Sequence, residues 1–390
     1  MSKKKTKKKT NKITTHFSVA RLIIFLLLCA TILGFGFGFK PQIEAKLNNT
    51  SNETYVFDEN GLTAHFIDVG QGDAIALRFP DQKTMLIDAG PGSNTTKLID
   101  YLKNKFFEPN ENVFDYLLLT HSDEDHCGGM SKVCEEFVIN KIYRPQIYSV
   151  YPKSSSTFDE TNGNSTNKNT CETKAYYNTI SSFNREIDEN GNSTKIVFTD
   201  LSTANSTEKI AGADYEFVFY APIRNYVPGK YLPDGTTPVN YFSPIMVLNY
   251  NQKKIMFTGD ASITSEEEVM ANTTLPKVDI LKVGHHGSKY SSGQAFLNQI
   301  TPKIAVISVG EGNTHGHPTA EALNRLASVG ADIYRTDKNG NITTNITSGA
   351  VADIFVKCDS SGNFYIRVEY IIFGAVCISF YFCFATKKQK

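Results

Sequence analysis

The chain has 390 residues, 41% hydrophobic and 21% charged, enough for one large domain or two smaller ones, with the composition of a folded protein. Its zero net charge hides an uneven distribution. Twelve of the 40 Lys/Arg residues lie in the first 40 and last four positions, which contain no acids, so 28 basic residues face 40 acidic ones in between. An acidic body excludes broad, sequence-blind nucleic-acid binding through a basic surface, although a local groove or bound metals can offset it.

In chain order, a basic tail (residues 1–18) precedes VARLIIFLLLCATILGFGFGF, residues 19–39, which is uncharged after Arg21 and long enough to cross a bilayer. The lysines before it point the N-terminus to the cytoplasm. A cleaved secretory signal is the competing reading, and the lack of a small-x-small cleavage site favours a retained anchor. A polar linker (40–60) leads to the main domain, expected over residues 61–357. It opens with the strand-like runs LTAHFIDVG and DAIALRFP around the turn GQGD, then TMLIDAGPG. The apolar strand YLLLT (116–120) runs straight into HSDEDH. Residues 151–172, rich in Ser, Thr and Asn, read as an exposed insertion. AYYNTISSFNREI is expected to be a helix. KIVFTD, YEFVFYAP, IMVLNY and KKIMFTGD are expected strands, SEEEVMAN a helix and VDILKVG a strand. TAEALNRLASVG is expected to be a helix capped by Thr319 with Glu321 in its first turn, and ADIYRTD, ITTNIT and VADIFVK close the body as β structure. Two groups of strands with intervening helices predict an α+β fold: two packed sheets with helices on their outer faces.

Residues 370–385, YIIFGAVCISFYFCFA, are uncharged and precede a basic tail (386–390). They read as a second span, with a buried strand or helix as the alternative. Two spans with both ends cytoplasmic put the body outside the cell membrane. Of seven cysteines, Cys29, Cys377 and Cys383 lie in the apolar runs. Cys127, Cys134, Cys171 and Cys358 match neither a zinc ribbon nor a C-x-x-C pair. A Cys134–Cys171 bridge is one reading, and isolated buried thiols are the favoured one.

A metal that activates water needs several imidazole or carboxylate ligands and one open position. His121, Asp123, Asp125 and His126 offer four such side chains directly after an apolar strand and before Gly128–Gly129. HSDEDH followed by GG resembles the H-x-H-x-D-H signature of metallo-β-lactamase-fold hydrolases, with Asp123 in place of the second histidine. HFIDVGQGDA, LIDAG, NYFSPIMVL, FTGDAS, LKVGHHGS, ISVG, GHPTAEAL and YRTDKNG extend the likeness, in order, to the β-lactamase-like domain of ComEC-family DNA-uptake proteins over residues 62–345. The many-span channel of that family has no counterpart here, so DNA transport is not implied.

The resemblance implies an αββα sandwich of mixed sheets, two divalent metal ions, and phosphodiesterase or nuclease activity on DNA. It implies that His121 and Asp123 hold one metal, Asp125 and His126 the other, and that Asp260 bridges them. Asp125 also takes a place among the catalytic groups. The HHGS pair supplies a further ligand. His285 is favoured and His286 is then substrate-facing or catalytic, with the reverse order open. Ser288 approaches an anionic group, and His317 is a phosphate contact or proton donor, with His315 a weaker candidate. Asp73 and Asp88 are expected to support ligands, and Asn240 and Ser243 to orient substrate. Tyr177 and Lys289 are candidates to face a polymer.

No histidine occurs between His126 and His285, so oxygen ligands dominate the first site. That favours manganese over zinc. The alternatives are another phosphodiester or ester substrate (a teichoic-acid-like polymer, a cyclic nucleotide, a lactone) and a non-catalytic surface binding module.

Overall fold

A computed structural model describes residues 57–149, 170–171, 173–199, 207–209, 214–223 and 238–359. The basic tails, both apolar runs and almost all of the linker and of the 151–172 insertion lie outside the described residues.

Fifteen strands build two large mixed sheets. The first runs, in spatial order, Lys195–Phe198, Lys141–Arg144, Tyr116–Leu118, Thr84–Ile87, Ile75–Arg78, Leu62–Phe66, Ile342–Ile346 and Ile354–Cys358. The four strands from Lys195–Phe198 to Thr84–Ile87 are parallel, and the remaining pairings are antiparallel. The second sheet runs Thr207–Lys209, Tyr215–Phe219, Met246–Tyr250, Lys253–Phe257, Ile280–Lys282, Ile304–Ile307 and Asp332–Arg335. It turns from antiparallel to parallel after Lys253–Phe257.

The strand sequences explain the layering. Leu62–Phe66 and Tyr215–Phe219 alternate buried and half-buried positions, whereas Tyr116–Leu118 and Ile280–Lys282 are buried on both faces. A strand buried on both faces needs cover on each side, as parallel sheets do. One apolar layer joins the sheets. Phe79 stacks on Tyr215 at 4.2 Å between ring centres, and Phe66 on Phe257 at 6.4 Å. A second layer packs the first sheet against helices Thr95–Tyr101, Met130–Glu136 and Lys174–Phe183. A third packs the other sheet against Ile263–Asn272, Gln294–Ile300 and Ala320–Ser328.

The architecture is the expected αββα sandwich of mixed sheets. Thr319 caps its helix as expected, accepting from the Ala322 amide. Three helices were not anticipated from sequence, at Thr95–Tyr101, Met130–Glu136 and Gln294–Ile300. Each is only seven residues long, too short for a clear apolar period. Cys127, Cys134, Cys171 and Cys358 are free thiols, and the Cys127 and Cys171 sulfurs lie 3.3 and 4.0 Å from the same Ser122 carbonyl. Among the described residues no helix is long and apolar enough to cross a membrane.

Candidate metal centre

Parallel strands direct their carboxyl ends to one rim, where ligand sites of such sheets form. Thr84–Ile87 delivers Asp88 there, and Tyr116–Leu118 delivers Thr120 and His121. From the other sheet, Lys253–Phe257 delivers Asp260, Ile280–Lys282 delivers Lys282, His285 and His286, and Ile304–Ile307 delivers the Ser308 carbonyl.

The opening motif is partly helical, not simply loop. Asp123 holds the cap position of a helical turn, Glu124–Cys127, but its side chain makes no capping bond. Its Oδ2 lies instead 3.5 Å from His121 Nε2. Gly128 and Gly129 follow because the turn packs on the LIDAG loop. The Ala89 amide donates to the His126 carbonyl at 2.8 Å, and a Cβ on Gly129 would collide with the Ala89 carbonyl oxygen.

Hydrogen bonds fix the histidine tautomers. A backbone carbonyl only accepts, so the 2.9 Å contact of His286 Nδ1 with the Ser308 oxygen puts the proton on Nδ1. The Asp88 carboxylate accepts from His126 Nδ1 at 2.8 Å, from the Thr120 amide at 2.8 Å and from the Thr120 hydroxyl at 2.6 Å. With its own proton so committed, the Thr120 oxygen accepts from His121 Nδ1 at 3.0 Å. All three buried rings therefore commit Nδ1–H to these partners and turn Nε2 inward, the nitrogen left for a metal.

Those nitrogens meet carboxylates. His126 Nε2 and His286 Nε2 are 3.3 Å apart. His286 Nε2 lies 3.2 Å from Asp125 Oδ2 and 3.6 Å from Asp260 Oδ2, and His126 Nε2 lies 3.3 Å from Asp260 Oδ1. Ligands about 2.0–2.1 Å from a tetrahedral ion sit about 3.3 Å from one another. The same Asp260 Oδ2 is also 3.6 Å from His285 Nε2 and 3.9 Å from His121 Nε2. His121 Nε2 and Asp260 Oδ1 are buried without a hydrogen-bond partner. Ligand-type atoms and orphaned polar atoms at these separations fit cations, so the residues present suit divalent metal ions.

The electrostatics agree. Burial alone would depress His126, but the Asp260, Asp88 and Asp125 carboxylates raise it well above its ordinary value. His286 likewise overcomes burial and is pushed up to about 10 by Asp260, Asp125 and Asp73. Burial opposes ionisation of Asp260 and Asp125, yet the surrounding histidines hold both below the usual carboxylate range. The cluster carries more negative charge than it can settle internally, and protons compete for the position a metal would take.

Asp73 stands within 4.8 Å of His126, His286 and Asp260 as part of a buried ligand-type group. It nevertheless faces the wrong side of both rings, 3.4 Å from His286 Nδ1 and 4.0 Å from His126 Nδ1. Its Oδ2, the oxygen facing His126, pairs with the fully buried Lys282 ammonium at 2.5 Å. Burial pushes Asp73 up, but Lys282 and the two histidines bring it to about 2. We read it as a positioning group. Lys282 was missed from sequence, where it looks like an ordinary strand residue of VDILKV.

The remaining expected residues border this centre. Ser243 Oγ accepts from the Asp260 amide at 3.1 Å and lies 3.4 Å from His121 Nδ1. The Asn240 amide lies 3.5 Å from His285 Nδ1. Ser288 is buried, donates its amide to the His285 carbonyl, and does not reach the ligand atoms. His317 packs edge-on to His285 with ring centres 5.4 Å apart, and His315 stacks on His317 at 5.8 Å. Burial, then the neighbouring histidines, lowers His317 to about 4, so it is neutral at neutral pH. A cleft of about 440 Å³ opens over the centre, lined by Gln71, Pro91, Ser93, Asn94, Asp123, Glu124, Asp125, Asp260, His285 and His315. Gln71 and Glu124 were not anticipated, since nothing in their local sequence marks them.

The metallo-beta-lactamase superfamily model matches residues 67–207 and 243–311, more than half of the chain. The chain belongs to the metallo-beta-lactamase superfamily. This superfamily member is 27% identical to ComE operon protein 3 of Bacillus subtilis (strain 168) over 289 residues, 71% of this chain and 32% of that protein. It is 25% identical to Recombination protein 2 of Haemophilus influenzae over 320 residues, 82% of this chain and 31% of that one. It thus spans about a third of the length of these curated relatives. They bear out the ComEC-family likeness. Among solved structures, the metallo-beta-lactamase fold protein YhfI of Bacillus subtilis is similar at 10% identity, with a TM-score of 0.41 over 76% of this chain and 99% of that one.

Proposed function

We propose that this superfamily member is a two-metal phosphodiesterase acting on DNA. The observation that carries the reading is the pair of inward-turned Nε2 atoms of His126 and His286, 3.3 Å apart, with Asp125 and Asp260 oxygens at similar range. Asp125, His126 and His286 would hold one ion and His121, Asp123 and His285 the other, with Asp260 lying among both groups. On this reading the adjacent histidines are divided between the two positions. His285 fills the place left without a histidine in the first site. Divalent ions there would acidify water and stabilise charge growing on phosphate oxygens.

The chain's own groups supply the rest. Asp125 borders the cleft and orients the attacking water, while Thr120, Ser243 and Asp88 hold the ligand rings in register. Neutral His317 donates a hydrogen bond to the phosphate, and Asn240 and Ser288 fix the His285 turn. Three carboxylates among the ligands favour manganese over zinc. Relatives named for competence and recombination support DNA as the substrate. One observation favours a second reading. The cleft lining contains four carboxylates and no Lys or Arg, which suits a small phosphodiester better than a polyanion.

The reading includes a main domain over residues 61–357 and membrane anchors at 19–39 and 370–385, with the domain outside the cell and both tails inside. Metal-stripped full-length protein, supplied with manganese or zinc, is offered single- and double-stranded DNA and bis(p-nitrophenyl) phosphate, with Asp260→Ala as control. Cleavage of DNA restored best by manganese is expected. Hydrolysis of the small ester alone would favour the second reading, and inactivity on all three would end the phosphodiesterase assignment. A cytoplasmic reporter fused after Lys390 is expected to be active, and silence would refute the second span.

A further inference from the structure

The metal centre leaves one problem unsolved for a nucleic-acid substrate: the cleft above it has no cationic lining. The loop leaving the His285–His286 turn supplies what is missing. Tyr290 is 53% exposed, and the other large hydrophobic side chains this exposed among the described residues are Ile187 and Val351, neither aromatic. Lys289 beside it is exposed, and its ammonium sits 5.0 Å from the centre of the Tyr290 ring.

An exposed side chain on a slack loop would mean little, but this loop is tightly held. The Arg325 guanidinium donates to the carbonyls of Lys289, Ser291 and Ser292 at 3.1, 2.9 and 2.9 Å. The buried Glu266 carboxylate accepts from the Ser292 and Gly293 amides at 2.7 and 2.8 Å, and the Tyr290 carbonyl accepts from Ile263 at 2.8 Å. The Ser288 amide turns back onto the His285 carbonyl and the Tyr290 amide onto Ser288 Oγ. Five residues of chain put Tyr290 within about 18 Å of His285, and the two turns shorten this further. The backbone is therefore fixed by at least six bonds while the aromatic ring is left in water.

We propose that Lys289 and Tyr290 form a docking platform for single-stranded nucleic acid, on which a base next to the scissile phosphate stacks against Tyr290 while Lys289 meets the adjoining phosphate. This deepens the phosphodiesterase reading and rests on it. A flat ring with a cation over one face and the other face open, on the loop that leaves the metal-site histidines, matches the alternation of base and phosphate along a single strand. In a duplex the bases are already stacked, so Tyr290 gains nothing there. The platform selects single strands, and it adds a cation on the loop beside an acidic cleft.

The test is equilibrium binding, measured by fluorescence anisotropy with full-length protein in detergent, using labelled oligothymidylate and a duplex of equal length. Tyr290→Ala is expected to weaken single-strand binding about fivefold to a hundredfold, and Tyr290→Phe to keep it near wild type, because stacking needs the ring and not the hydroxyl. Lys289→Ala is expected to lower the salt dependence of single-strand binding by about one phosphate contact. Unaltered metal content and melting temperature exclude misfolding. Single-strand binding unchanged by Tyr290→Ala, or an equal loss on duplex, overturns the platform. So does a Tyr290-dependent affinity for phosphatidylglycerol vesicles without any effect on oligonucleotides, which would make the ring a lipid contact. Failure of the phosphodiesterase reading looks different: wild-type protein then hydrolyses no phosphodiester at all.

Discussion

Asp88→Asn isolates the part of the centre that sets histidine tautomers. The substitution is nearly isosteric, and asparagine tolerates the positive φ of 56° found at this position. The carboxylate accepts three hydrogen bonds, from the Thr120 amide, the Thr120 hydroxyl and His126 Nδ1. An asparagine amide has one accepting oxygen. If that oxygen keeps the Thr120 amide, its NH2 group faces the hydroxyl and the ring nitrogen. His126 must then accept at Nδ1 and carry its proton on Nε2, between itself and His286 Nε2. Loss of a group that orients a metal ligand costs about 10- to 100-fold in metal affinity, or about 1.4–2.7 kcal/mol. Competition with a chromogenic chelator near neutral pH measures it, and thermal unfolding in excess chelator checks the fold. A folded Asp88→Asn protein binding manganese and zinc within twofold of wild type would refute the tautomer argument.

Four further outcomes are expected. Because His126 and His286 are raised, their protonation stabilises the metal-free fold fully below the ordinary value of 6.5. That contribution is lost as pH rises toward about 10 for His286, so the melting temperature of chelated protein should fall over that range. Metal uptake near neutral pH should release about two protons by calorimetry in buffers of different ionisation enthalpy, and uptake without proton release would contradict the assignment. Lys282→Met leaves the Asp73 carboxylate buried without its cation, and a destabilisation of about 3–5 kcal/mol in denaturant titrations is expected; a loss below about 1 kcal/mol would show the pair to be dispensable. At Gly72, where φ is 142° and a Cβ would strike the Asp125 carbonyl oxygen, Gly72→Ala should displace the HSDEDH turn and lower both melting temperature and metal occupancy, whereas normal occupancy would mean the turn absorbs the methyl group.

Much of this centre is legible in the sequence, because its ligands occur in short, dense runs at the ends of apolar strands. HSDEDH, FTGD and HHGS announce themselves by residue type alone. The division of labour within HHGS does not. His285 and His286 both adopt left-handed backbone conformations, with φ of 48° and 52°, and this pair of residues brings both adjacent side chains to the Asp260 carboxylate. Nothing in the letters signals that conformation for histidine, which adopts it infrequently. Lys282 is hidden for a related reason. A lysine in a strand normally faces water, and only the Asp73 loop arriving from the other sheet makes its burial tolerable. The two-sheet division is readable from periodicity, but the placement of Ile342–Ile346 beside Leu62–Phe66 is not, because that pairing joins segments almost 280 positions apart.

The rim where the sheets meet has a kinetic consequence. His121, Asp123, Asp125 and His126 come from one side of the sandwich, and Asp260, His285 and His286 from the other. Neither side alone presents more than part of a coordination shell, so an ion held there is a clasp across the seam. Such an ion would leave through the open cleft, past the partly exposed Asp123, Asp125 and His285, so its residence time would gauge how firmly the two rims grip it together.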